Sequence, residues 1–418
     1  MANISKSFIC IAVDPGFDST KVIVNGIMFK VPNGTVDITG DTGKYLALNN
    51  NKKAKGYLLS RYIPGKEYLI GDLARKATLE RSVREEQTIR QGMMDSEGRF
   101  LTKDFEVHLM TCIALALVKY SKLSVEQKLV PEVDIKNPED LKNCNIVVGV
   151  ALPNDWVDDI WPDLMKFLIS SHHFSIENNE GTFDLNFNIK EGYAMALSQA
   201  VCALLGVTST DAGETIADSE VLSNLPCIVI DGGYKTVGMF QLTQALRVSA
   251  SESNTEFAMG NVHKNVARRL KEEYGRDNIE AFQIPAILEG DGIINYLETS
   301  QSGKQVSKQV NVRALVEDEM EKICKQLIAL LNEKFENLLD TKEVVITGGT
   351  GAAYFNHLSK YLKEERGHLD GHIILTSYKF LGKDIDPVYA IAVGMYKTLR
   401  NQVNSATRKR TTEPAKKD

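Results

Sequence analysis

Apolar residues in this chain fall into two periods. Unbroken apolar blocks at Cys10–Val13, Val22–Val24, Ile146–Leu152, Cys227–Ile230 and Val344–Ile346 predict strands buried on both faces. Phe183 to Ile189 alternates apolar and polar, as a half-buried strand does. Asn25-Gly26, between Val22–Val24 and Ile27–Phe29, predicts a tight hairpin turn with positive φ at both residues. Helical spacing carries Val107, Met110, Ile113, Ala114, Leu117 and Val118 on one stripe of a helix over 104–120. The same spacing predicts helices over 260–274, with Val262, Val266 and Leu270 on its stripe, and over 311–339; 156–169, 191–205 and 387–400 also read as helices. Ala390, Ala392 and Gly394 suit a closely packed last helix, and Pro387 suits its first turn. Strands alternating with helices predict an α/β fold. Mixed polar sequence over 36–99 reads as a small inserted subdomain, and 122–143 and 206–224 as charged or acidic connections.

Two of the apolar strands end alike. Ile11-Ala12-Val13-Asp14-Pro15-Gly16-Phe17 runs through Ser19, Thr20 and Lys21 into a second strand; Ile228-Val229-Ile230-Asp231-Gly232-Gly233-Tyr234 runs through Thr236 into another. A buried strand holds its terminal Asp rigidly at the carboxyl end, where ligands of α/β sheets collect. The glycine lets the turn approach an anion and can supply positive φ. Successive backbone N–H groups make a concave anion site. Ser19, Thr20 and Thr236 add hydroxyls, Lys21 a charge, and Asp14 and Asp231 suit a Mg²⁺ that keeps its waters. A third element, Val344-Val345-Ile346-Thr347 followed by Gly348-Gly349-Thr350-Gly351, is a strand, a glycine turn and a helix start, which also favours an anion. Neither the P-loop pattern nor a dinucleotide fingerprint after a first strand occurs.

With those residues in place, the chain resembles the actin-like ATPases. Asp14-Pro15-Gly16 with Ser19-Thr20-Lys21 looks like their first phosphate motif, Asp231-Gly232-Gly233 with Thr236 like the second, and Ile346 to Gly351 like the adenosine motif. Within that superfamily it is most similar to the ParM-type bacterial plasmid-segregation actins, on its length and the Lys190-Glu191-Gly192-Tyr193-Ala194-Met195-Ala196 segment. The resemblance implies a duplicated, two-lobed α/β fold of ribonuclease H-like type with the nucleotide between lobes. It implies a first lobe of 1–190 plus 387–402, a second of 191–386 with a small subdomain near 258–340, and a tail at 403–418. It makes Glu191 the residue expected to activate the attacking water, and Lys271 and Glu272 candidates for ribose and base contact. ATP, or GTP, with Mg²⁺ is the implied cofactor. Head-to-tail self-assembly and a DNA-bound adaptor at a plasmid centromere are the implied partners, in the bacterial cytosol. Sugar or acetate kinases, cell-shape and division actins and a nucleotide-sensing scaffold share the clamp and remain alternatives.

Composition narrows this modestly. At 43% hydrophobic, 418 residues sustain two to three compact units. No apolar run reaches the ~18–20 residues that span a bilayer. Met1–Ser7 lacks a signal-peptide layout, and six cysteines without a C-x-x-C read as buried free thiols. His172, His173, His368 and His372 are expected in surface loops rather than at a metal. A net charge of −6 gives the body no bulk attraction to DNA; the basic 407–417 stretch reads as a disordered solvated tail, with a weak electrostatic contact to DNA or a partner as the alternative.

Overall fold

The computed structural model describes residues 8–40, 56–77, 100, 102–129, 131–216, 219–299, 304–377 and 379–412. They divide into two compact units. The first takes the described residues through 216 with 379–385 and 389 onward; the second takes 219–377 with 386–388.

In the first unit, β1 (Phe8–Pro15), β2 (Ser19–Val24), β3 (Ile27–Pro32), β7 (Asn145–Leu152) and β10 (Ala194–Ser198) form one sheet in the order β10-β7-β1-β2-β3. β1 runs antiparallel to β2 and parallel to β7, and β10 runs parallel to β7. In the second unit, β11 (Cys227–Gly232), β12 (Val237–Leu242), β13 (Val248–Asn254), β16 (Glu343–Thr347) and β17 (Ile373–Leu375) form a sheet in the order β13-β12-β11-β16-β17. Here too the first strand is antiparallel to the next, which pairs antiparallel with the third, while the fourth and fifth run parallel to the first. The two sheets therefore share one topology, strand for strand. The matched sequence of the two hairpins has a structural counterpart.

Burial explains the apolar blocks. Ile9, Ile11 and Val13 are fully buried, as are Ile228, Val229, Val344 and Val345 to within 1%. Each such side chain contributes about 1.5–3 kcal/mol against exposure, as an upper bound. The helix Lys103–Gln127 packs on the first sheet, its start capped by Thr102, whose hydroxyl accepts from the Phe105 amide at 3.2 Å. Helix Val312–Lys334 and helix Met259–Tyr274 supply the second core through Leu315, Ile323, Leu327 and Val262, Val266, Leu270. Asn25 and Gly26 both have positive φ, at 42° and 92°, as the hairpin between β2 and β3 requires.

Several expectations need correction. The segment 191–205 is not one helix: Glu191 to Tyr193 form a turn, Ala194–Ser198 form β10, and the helix is Gln199–Thr208. Pairing with β7 overrides the helical preference of Ala-Met-Ala-Leu. Because β10 belongs to the first sheet, that unit extends through residue 216 rather than ending at 190. The small subdomain is likewise not confined to 36–99. Its sheet joins β4 (Thr35–Asp37), β5 (Leu58–Ser60) and β6 (Tyr68–Ile70) to β8 (Ser171–Asn178) and β9 (Gly181–Asn188), in the order β4-β6-β5-β8-β9. His172 accordingly lies buried on β8, its Nε2 3.0 Å from the Leu168 carbonyl oxygen, not in a surface loop. The last helix, Ala390–Thr412, continues through most of the stretch expected to be a disordered tail; 413–418 lie outside the described residues. A hairpin that periodicity missed, β14 (Ile293–Thr299) with β15 (Gln305–Asn311), precedes helix Val312–Lys334.

The last helix crosses helix Gln199–Thr208 at very short range. A Cβ on Gly394 would stand 1.7 Å from the Cys202 carbonyl oxygen. Buried Lys397 donates to the carbonyls of Gly206 and Ser209 at 2.7 Å each, satisfying the end of the shorter helix. All six cysteines are free and five are buried, and burial pushes the Cys10 thiol up to about 12. Among the described residues, no helix is long and apolar enough to cross a membrane.

Candidate functional site

Each unit presents one Asp-tipped hairpin. In the first, Asp14 ends β1 opposite Lys21 of β2, and its carboxylate is buried. The turn closes with the Gly16 amide donating to the Asp14 carbonyl at 3.0 Å. Gly16 leaves little space rather than needing a positive φ: a Cβ there would meet the Lys21 ammonium, which can swing aside, at 2.7 Å and the Ser19 carbonyl oxygen at 3.0 Å. Lys21 therefore holds its charge against the turn. Ser19 and Thr20 are buried. The Thr20 hydroxyl lies inside the protein, donating to Asn33 Oδ1 at 2.9 Å with His108 Nε2 3.1 Å from its oxygen. It braces the turn from behind, whereas the sequence had suggested a hydroxyl donating to phosphate.

In the second unit Asp231 ends β11, level with Thr347 of β16. Its turn closes with the Gly233 amide donating to the Thr236 carbonyl at 2.9 Å. The glycine-rich third element starts the helix Gly348–Glu365 directly on this hairpin. A Cβ on Gly232 would stand 2.1 Å from the Gly351 nitrogen. Gly348 adopts φ +79°, and a Cβ there would meet the Gly232 carbonyl oxygen at 2.4 Å and the Asp231 carboxylate at 2.9 Å. Thr350 is buried and donates to the Gly233 carbonyl at 2.7 Å, so its hydroxyl also serves the turn. Gly349 is exposed at the helix start. Thr347 caps that start without a side-chain hydrogen bond, which suits an anion taking the first N–H groups. Thus Asp231, Gly232, Gly233, Thr236 and Gly348 to Gly351 form one constellation.

Tyr234 of the same turn is held by helix Met259–Tyr274. The Gly260 amide donates to its carbonyl at 2.8 Å, and the His263 ring lies 5.7 Å from its ring. Burial holds the His263 imidazole down at about 4. It is the start of this helix that meets the hairpin. Lys271 and Glu272 are exposed, roughly 16 Å farther along the helix axis, and Glu272 pairs with Arg268 at 3.1 Å.

Glu191 is not brought to the first hairpin. Ala194 is level with Val148 of β7, and Val148 with Ile11 of β1. About 10 Å of strand separates that level from Asp14, and Glu191 lies beyond Ala194 in the opposite direction, exposed in a turn. The residue at the correct end of β10 is Gln199, whose Nε2 donates to Asp14 Oδ1 at 2.8 Å. Ser198 caps the helix by accepting from the Val201 amide at 3.1 Å, which fixes Gln199 as its first residue. A serine followed by an apolar helix was the legible signal for that boundary.

One strand-end carboxylate per hairpin, Asp14 and Asp231, suits a Mg²⁺ ion that keeps most of its waters rather than an all-protein cage. Among the described residues, no group of three or more His, Cys, Asp and Glu side chains is placed to hold a metal ion.

No protein-family model and no curated protein sequence matches this chain. Solved structures do. The actin-like protein Alp7A matches with a TM-score of 0.64 at 15% identity, over 97% of this chain and 100% of Alp7A. ParM from Clostridium botulinum, solved as a 15-stranded filament, matches with a TM-score of 0.59 at 16% identity, over 95% of this chain and 99% of that one. Bacillus thuringiensis ParM with ATP matches with a TM-score of 0.55 at 12% identity, over 96% and 100%. Identities this low carry the fold and no more. The chain has the actin-like fold of Alp7A and the ParM proteins, in agreement with what its two Asp-tipped hairpins implied.

Proposed function

We propose that this chain is an ATPase that assembles into dynamic filaments with Mg-ATP, or Mg-GTP, and that hydrolysis promotes their disassembly. The observation that carries the reading is the repeat: the same five-stranded sheet occurs twice, each time with a glycine turn and a terminal Asp in the same place. The similarity to a ParM filament and to a ParM with ATP supports it.

In this reading the backbone N–H groups of both turns bind phosphate oxygens, helped by Lys21 and by the start of helix Gly348–Glu365. Asp14 and Asp231 would hold Mg²⁺ through its waters; when bound, the ion neutralises developing charge on the phosphoryl group. Gln199 takes the role the sequence had suggested for Glu191. With its amide nitrogen on Asp14, its Oε1 is left to accept from a water. A glutamine orients that water and takes no proton from it. Open head-to-tail assembly follows from a heterologous contact between copies. Segregation of plasmid DNA through a separate DNA-bound adaptor accords with the net charge of −6, since the adaptor and not this chain would supply the basic surface.

High-speed pelleting of purified protein with Mg-ATP, Mg-GTP, Mg-ADP and no nucleotide tests the reading. Triphosphate-dependent pelleting supports it. A protein that binds triphosphate but stays in the supernatant throughout rules out filament assembly and leaves a kinase of the same fold to be sought.

A further inference from the structure

The first turn is shaped by a residue outside it. Asn33, fully buried just past β3, donates from Nδ2 to the carbonyl oxygens of Gly16 and of Phe17, the latter at 3.1 Å. Two carbonyls at one amide nitrogen settle the amide's orientation, because a carbonyl cannot donate. Asn33 Oδ1 must then accept, and it accepts from Thr20 at 2.9 Å. The Thr20 hydroxyl has spent its one proton there, so His108 Nε2, 3.1 Å away, is the donor to Thr20, which fixes the His108 tautomer as Nε2–H. All three side chains are at least nine-tenths buried. The chain of donation runs one way: His108 to Thr20, Thr20 to Asn33, Asn33 to the turn.

A trans peptide points its C=O and the following N–H in opposite directions. Drawing the Gly16 and Phe17 carbonyls inward therefore turns the Phe17 and Asp18 amides away from Asn33. Two successive amides so directed form an anion-binding concavity. Arg75 adds to the same frame from the other flank, donating to the Asn33 carbonyl at 2.7 Å and to the Asp18 carbonyl. The second hairpin has a parallel arrangement, since Thr350 anchors the Gly233 carbonyl from inside.

We propose that Asn33 is the positioning residue of the first phosphate turn, held in register by Thr20 and His108. This rests on the nucleotide-binding reading above. It sets the affinity for the phosphates of a nucleoside triphosphate and leaves the nucleoside's own contribution unchanged.

The test compares binding of Mg-ATP and of adenosine to wild type, Asn33→Ala, His108→Gln and His108→Leu, with thermal melts on each. Asn33→Ala weakens Mg-ATP about tenfold or more, the range for a lost hydrogen-bonded frame, and leaves adenosine affinity within about twofold. His108→Gln keeps a donor toward Thr20 and binds Mg-ATP nearly as wild type; His108→Leu does not. The histidine pair decides the matter if Asn33→Ala fails to fold. Equal losses for Mg-ATP and adenosine, or no loss in a folded Asn33→Ala or His108→Leu, overturn the proposal while sparing the nucleotide reading. Wild type that binds neither ligand ends both.

Discussion

Substituting Gly232 by alanine isolates the joint between the second hairpin and the helix Gly348–Glu365. Gly232 has no positive φ, so alanine is conformationally acceptable there and, in open space, would stabilise by reducing the freedom of the unfolded chain, by ~0.4–1 kcal/mol. The surroundings reverse that sign. The new Cβ would lie 2.1 Å from the Gly351 nitrogen and 2.7 Å from its Cα, against roughly 3.5 Å for ordinary contact. Both neighbours are backbone, so no side chain can swing aside, and hairpin and helix must part by more than about 1 Å. Overpacking of this kind costs ~1–3 kcal/mol, or about 2–10 °C of melting temperature for a unit of this size. The functional cost is larger, because a displacement of ~1 Å at a positioned site can reduce turnover about 10²-fold. Differential scanning fluorimetry with and without Mg-ATP, beside a phosphate-release assay, reads both. Gly232→Ala should melt lower and show a much reduced stabilisation by Mg-ATP. An unchanged melt with an unchanged Mg-ATP shift would refute the close joint and its place in binding.

Gln199→Ala should bind Mg-ATP but release phosphate at least ~100-fold more slowly, while Glu191→Ala should turn over as wild type; the opposite result returns the water to Glu191. Gly394→Ala should destabilise the first unit by ~2 kcal/mol or more in a urea titration, since its Cβ would overlap the Cys202 carbonyl oxygen. His263 titrates near 6.5 when unfolded and is held to about 4 by burial when folded. Stability from this group is therefore complete above pH 6.5 and falls as pH drops toward 4, by on the order of 1–3 kcal/mol. His263→Leu should flatten that part of the denaturation profile, and a variant as acid-sensitive as wild type would contradict it.

What could be read from the sequence was local. Asp14 and Asp231 stand out because a buried strand cannot end in Asp-x-Gly by accident of periodicity, and Asn25-Gly26 because few residues accept two positive φ values. The stripe through Leu315, Ile323 and Leu331 marks its helix unaided. What was hidden depends on pairing between distant segments. Ala194–Ser198 reads as helix and becomes a strand only because β7 lies beside it; that shift puts Gln199, and not Glu191, beside Asp14. β8 and β9 join β5 across more than a hundred residues, which no local window contains. Thr20 and Thr350 carry the right chemistry for phosphate, yet Thr20 donates to the Asn33 side chain behind its turn and Thr350 to the Gly233 carbonyl of the other. Asn33 gave no signal at all, since its side-chain partners, two backbone oxygens and the Thr20 hydroxyl, are brought to it by the fold.

The most direct test of the account is light scattering at 90° recorded together with phosphate release after Mg-ATP is added, for wild type and for Gln199→Ala. Wild-type scattering should rise and then decay as phosphate appears, and the Gln199→Ala signal should rise and persist. Scattering that never rises, or that decays equally in the variant without phosphate release, would contradict the coupling of hydrolysis to filament turnover.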